Sequence, residues 1–93
     1  MLLTIDIGNT NITLGIWDGH SWQRVWRIRT DSERTADEFG ILLSGLLREA
    51  QLETAIDGVI LSSVVPRLND TFLQLCKEYL RLEPLVVSSQ TDS

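Results

Sequence analysis

Asp6-Ile7-Gly8-Asn9-Thr10-Asn11 gathers a carboxylate, a glycine, two side-chain amides and a hydroxyl in one short stretch, with Ile12 and Thr13 directly behind. Asp6 falls at the end of an apolar run, where taking a carboxylate out of water is costly unless something compensates it. A tight hairpin bent at Gly8 can turn successive backbone N–H groups outward and form an anion-binding concavity. Thr10 and Thr13 add hydroxyl donors, and Asn9 and Asn11 add amides. Asp6 has the same sign as a phosphate and cannot bind one directly. It can hold a hydrated Mg²⁺, which favours one or two carboxylates together with phosphate oxygens. The stretch therefore suits a metal–nucleotide phosphate. It suits a plain Gly-Asn hairpin with a capping Asp equally well, and the hairpin alone does not choose between them.

Other candidates carry less chemistry. His20 follows Asp18-Gly19 and reads as a solvated turn residue. Ser62 and Ser63 have no G-x-S-x-G elbow around them, so no nucleophilic triad is expected. No Cys/His pattern has the spacing of a metal site. Cys76 falls on an apolar helical face and reads as a small buried hydrophobe. Arg24, Arg27 and Arg29, interleaved with Trp22 and Trp26, could stack on single-stranded nucleic acid. A solvated edge strand with its tryptophans packed on a neighbour is the simpler reading.

The elements that must position these residues follow from periodicity. Leu2 to Ile7 is a nearly continuous apolar run, expected as a strand buried on both faces. Asn11 to Trp17 alternates, with Ile12, Leu14 and Ile16 on one side. Asp18-Gly19 predicts a two-residue type I′ turn into a third strand, Trp22 to Thr30. From Thr35 the period becomes helical through Phe39, Leu42, Leu43, Leu46, Leu47 and Ala50. Thr35 and Glu38 form a capping box. Gly40 and Gly45 are unfavourable inside a helix and are read as permitting close approach to a sheet. Val59 to Val65 predicts a fourth strand, and Asp57-Gly58 its entry turn. Pro66 ends that strand and opens a second helix, whose apolar face is Leu68, Phe72, Leu75, Cys76 and Tyr79. Leu85 to Val87 is a fifth strand, and Ser88 to Ser93 a polar, turn-like tail. The order is β-β-β-α-β-α-β, an α/β mixed sheet with helices on its faces. Ligands of such sheets collect at strand carboxyl ends, where Asp6, Ser62 and Ser63 lie.

Composition narrows the function classes. With 43% hydrophobic and 23% charged residues, the 93-residue chain is a single globular domain rather than a disordered segment. Its net charge of −5 argues against broad nucleic-acid binding, which rests on neutralising phosphates. The longest apolar stretch, near Gly58 to Val65, is too short to span a membrane. No Lys or Arg precedes Arg24, so a signal peptide is not expected, and a single cysteine fits a reducing compartment. A soluble, cytoplasmic chain is the expectation.

"DIGNTN" after one apolar strand, "RTADEFG" opening a helix and "SSVVP" after a second strand together resemble the type III pantothenate kinase family. That resemblance covers nearly the whole chain. It implies an N-terminal, ribonuclease H-like (actin-like ATPase) half-domain of the actin and sugar-kinase superfamily, truncated at residue 93. It further implies that Asp6, Ile7, Gly8, Asn9, Thr10, Asn11, Ile12 and Thr13 wrap the phosphates of ATP. Asp6 would position Mg²⁺ through water. Ser63, Val64, Val65 and Pro66 would line the cleft, and Arg27 of "WRIRT" would support the loop. A monovalent cation (K⁺ or NH₄⁺), pantothenate as substrate and a homodimer come with the family. Its Gly-x-Asp-Arg segment, which supplies the general base, and its second phosphate loop, Asp-x-Gly-Thr, are not in this sequence. The chain alone is therefore expected to be inactive. The alternatives are a noncatalytic nucleotide- or anion-binding regulatory module, or an interaction module built on the Arg/Trp strand.

Overall fold

Alternating apolar residues build the sheet first. Its strands are β1 (Leu2–Ile7), β2 (Asn11–Trp17), β3 (Trp22–Arg29), β4 (Gly58–Ser63) and β5 (Leu85–Ser88). The structure, a computed structural model, describes residues 1–88. Along the chain the order is the expected one; across the sheet it is β3-β2-β1-β4-β5. β1 pairs antiparallel with β2 and parallel with β4, so it is central. Ser88 closes β5, and the rest of the expected polar tail, 89–93, lies outside the described residues.

Two helices cover one face of this sheet. α1 (Ala36–Glu49) starts at the capping box foreseen for Thr35 and Glu38, with both reciprocal bonds formed. The second helical segment is broken into three. Pro66–Leu68 forms a 3₁₀ turn, Asn69–Leu75 the α-helix α2, and Cys76–Leu80 a π-helical turn that ends at Arg81 with φ +58°. Leu3, Ile5 and Ile7 of β1, Ile12, Leu14 and Ile16 of β2, and Val59 and Leu61 of β4 all face Phe39, Leu43, Leu47, Phe72 and Leu75 in one core. The rings of Phe39 and Phe72 lie 4.8 Å apart at its centre. Emptying either aromatic position costs about 3–5 kcal/mol.

Four expectations change. β1 is buried on one face only: Leu2 and Thr4 are half-buried and Asp6 is exposed, because both helices lie on the other side of the sheet. β2 and β3 are joined by four residues, Asp18–Ser21, not by a type I′ turn. The Asp18 carboxylate accepts from the N–H groups of His20 and Ser21 at 2.7 and 2.8 Å, and only Gly19 has positive φ. Those bonds hold the Asp18 pKa below its ordinary value. β4 stops at Ser63, since the Ser63 hydroxyl brackets Val65, accepting from its N–H at 3.0 Å and donating to its carbonyl at 3.1 Å. Gly40 meets the ring of Tyr79 rather than the sheet, and Gly45 meets nothing within 4 Å.

Candidate functional site

Three strand exits converge where β1 ends. Ile7 is the last residue of β1, and its carbonyl accepts from Val64 N–H at 3.0 Å, tying the β4 exit to it. Gly8 N–H donates to the Asn11 carbonyl at 2.9 Å across the turn. The return bond, from Asn11 N–H to the Gly8 carbonyl, is not formed among the described residues. That carbonyl instead accepts from Thr30 Oγ1 at 2.7 Å, just past the end of β3. Thr30 N–H also donates to the Thr10 carbonyl at 2.9 Å. The carbonyls of residues 7, 8, 10 and 11 thus all have protein donors. Among the described residues, no hydrogen bond takes up the N–H of Asn9 or Thr10. A turn with engaged carbonyls and free amides is the arrangement that attracts an anion.

Gly8 is favoured at this bend by tight space rather than by φ. A Cβ there would lie 3.0 Å from the Asn11 carbonyl oxygen that Gly8 itself binds. Asn9, Thr10 and Asn11 are exposed, while the side chains of Ile7 and Ile12 are fully buried in the core. Those two isoleucines therefore anchor the loop, and only their backbone borders it.

Side-chain chemistry beside the loop is set by register. Asp6 stands opposite Thr13 on β2 and opposite Ser62 on β4, and Thr13 stands opposite Arg27 on β3. Residues paired in this way share a face, so Arg27, Thr13, Asp6 and Ser62 form one polar row on the side that carries no helix. Asp6 is exposed, with hydroxyl side chains on both neighbouring strands. One accessible carboxylate of this kind fits a cation that keeps most of its water and takes further oxygens from phosphate. It does not fit a dehydrated ion caged by protein. Among the described residues, no group of three His, Cys, Asp or Glu is placed to hold a metal.

Ser63, Val64, Val65 and Pro66 form the bend that leaves β4 beside the loop. Val64 is exposed and Val65 packs against the core. Arg27 is exposed on β3, and the loop's support comes from Thr30. Thr30 was not singled out in the sequence. The four-residue turn Asp18–Ser21 and the irregularity between Ile16 and Trp17 together put it beside Thr10.

The remaining candidates sit apart from this site. His20 is exposed at the far end of the β2–β3 hairpin. Burial of the Cys76 thiol pushes its pKa up to about 11, which suits a core residue and not a nucleophile. Trp22 lies over Gly15, edge-on to Trp17 with ring centroids 5.1 Å apart, while Trp26 packs against the core. The tryptophans thus pack on neighbours, as the simpler reading of that strand has it. No helix of the described residues is long and apolar enough to cross a membrane.

Comparison with known proteins adds the family. A model of the type III pantothenate kinase family matches residues 2–93. Type III pantothenate kinases of Pelobacter propionicus and Geobacter sulfurreducens are 49% and 52% identical to it over 88 residues. Each match covers 94% of this chain but 35% and 34% of the relative, so the chain spans about a third of their length. Among solved structures, the ROK hexokinase of Thermus thermophilus superposes with a TM-score of 0.66 at 14% identity, over 94% of this chain and 34% of that one. A Ppx/GppA family protein of Aquifex aeolicus gives 0.54 at 20% identity, over 95% and 35%. At these identities the two structures speak for a shared fold alone.

Proposed function

The chain belongs to the type III pantothenate kinase family, and from that premise we propose that its Asp6–Thr13 hairpin receives the phosphates of ATP. In the longer enzyme the γ-phosphoryl group would pass to the hydroxyl of pantothenate, the first step toward coenzyme A. The observation that carries this reading is the polarity of the loop: the carbonyls of residues 7, 8, 10 and 11 are taken by Val64, Thr30 and Gly8, and among the described residues the N–H groups of Asn9 and Thr10 have no hydrogen bond. Phosphoryl transfer depends mainly on positioning and on charge stabilisation, so a rigid set of donors is a sufficient contribution for this part.

Asp6 would hold hydrated Mg²⁺, with Thr13 and Ser62 able to bind its waters. When bound, that ion neutralises charge on the phosphates and draws their oxygens together. The Thr10 and Thr13 hydroxyls would donate to phosphate oxygens, and the bend from Ser63 to Pro66 would form the adjacent wall. Pantothenate, a monovalent cation such as K⁺ or NH₄⁺, homodimer formation and a cytoplasmic location are proposed for the longer protein. The 93-residue chain binds without turnover, because neither a Gly-x-Asp-Arg nor an Asp-x-Gly-Thr segment occurs in it.

Calorimetric titration with MgATP, MgADP and adenosine tests the reading. Binding that needs phosphates, present for MgATP and MgADP and absent for adenosine, supports it. Equal binding of adenosine would replace it with a base-recognition site, and no binding of any of the three would remove it.

A further inference from the structure

The phosphate loop has one residue behind it that contributes two of its bonds. A trans peptide unit is planar, so the C=O of one residue and the N–H of the next point in opposite directions. Thr30 Oγ1 holds the Gly8 carbonyl toward β3 at 2.7 Å, and this turns the Asn9 N–H away from β3. Thr30 N–H holds the Thr10 carbonyl at 2.9 Å and fixes the Asn11 peptide in the same sense. The two clamped peptides, Gly8–Asn9 and Thr10–Asn11, flank the Asn9–Thr10 peptide on both sides and so hold the loop around its Asn9 and Thr10 N–H groups. The hydroxyl also takes the place that the Asn11 N–H would occupy if the turn closed on itself. Thr30 is half-buried, so water does not readily replace a missing hydroxyl there.

We propose that Thr30 is a positioning residue that sets the direction of the loop's amides and so the loop's affinity for nucleotide phosphates. This rests on the ATP-phosphate reading above. Thr30 acts through the backbone of Gly8 and Thr10, and touches no phosphate itself. Thr30→Val keeps the branched shape that suits a strand end and removes only the donor. Thr30→Ser keeps the donor and removes a methyl group. Thr30→Ala removes both and serves as the second deletion should the valine variant fold poorly.

The experiment is an amide NMR titration of the four chains with MgATP. It reads the apparent Kd from Gly8–Thr13 and the fold from all other amides. Loss of one neutral hydrogen bond corresponds to roughly fivefold weaker binding. The expected result is that Thr30→Val and Thr30→Ala bind about fivefold or more weakly with the rest of their spectra unchanged, while Thr30→Ser stays within about twofold of the parent. A deletion variant that binds like the parent overturns the positioning role alone. So does a serine variant as weak as the deletions. A parent chain that ignores MgATP overturns the phosphate reading and this inference with it.

Discussion

Gly40 and Gly45 occupy the same helix, and replacing each by Ala should affect stability differently: a gain at Gly45 and no gain at Gly40. In an exposed helix interior, Gly→Ala gains about 0.8–1.0 kcal/mol from backbone entropy. At Gly45 a Cβ meets nothing within 4 Å, so Gly45→Ala should stabilise by that full amount. At Gly40 a Cβ falls 2.5 Å from ring atoms of Tyr79. That ring is held by its own hydroxyl, which donates to Asp37 at 2.8 Å, and by partial packing against the core. Overpacking of this kind costs roughly 1–3 kcal/mol, so Gly40→Ala should be neutral to about 2 kcal/mol destabilising. In thermal melts, 1 kcal/mol corresponds to roughly 4–8 °C for a domain this small. Urea unfolding followed by circular dichroism, with equal m-values as the check on two-state behaviour, measures both variants. If Gly40→Ala stabilises as much as Gly45→Ala, the seat of Tyr79 on α1 is wrong.

Three further outcomes follow from the same contacts. Thr35→Ala removes the hydroxyl that accepts from Glu38 N–H at 3.2 Å, and should lower stability by about 1 kcal/mol in urea; an unchanged midpoint would argue against the capping box. Cys76, buried and with its thiol pushed up to about 11, should react with a thiol reagent at pH 8 only as fast as the chain opens; labelling within seconds in native buffer would contradict its burial. The bond from Tyr79 to the Asp37 carboxylate raises the tyrosine pKa. Its stabilising effect is therefore fully present below about pH 10 and is lost as pH rises through the raised value. Tyr79→Phe should remove that part of the alkaline loss, and identical stability–pH profiles for the two chains would count against it.

Local chemistry was legible from the sequence wherever it was complete within a few residues. The spans of β1 and β2, the Thr35–Glu38 cap and the helical turn opened by Pro66 all depend on neighbours along the chain. What was not legible depends on which element lies opposite. The apolar run Leu2–Ile7 does not reveal that its second face lacks a helix, and Gly40 does not announce Tyr79. Asp18-Gly19 carries a hairpin signal, but the Asp18 carboxylate captures two amides and widens the turn to four residues. The candidate site divides in the same way. The loop, its carboxylate and its hydroxyls are contiguous in sequence, whereas Thr30 becomes visible only after the β2–β3 register, with its irregularity near Trp17, is known.

Asp6 and the loop behind it are proposed as one phosphate site, and an amide NMR titration with MgATP of the parent and of Asp6→Asn is the decisive experiment. Asp6 is exposed on the sheet, so the substitution should leave the fold intact. The expected result is a set of shifts confined to Gly8–Thr13 and the Ser62–Val65 bend beside it, and clearly weaker in Asp6→Asn. A well-dispersed spectrum that does not respond to MgATP, or an equal response from both chains, would contradict it.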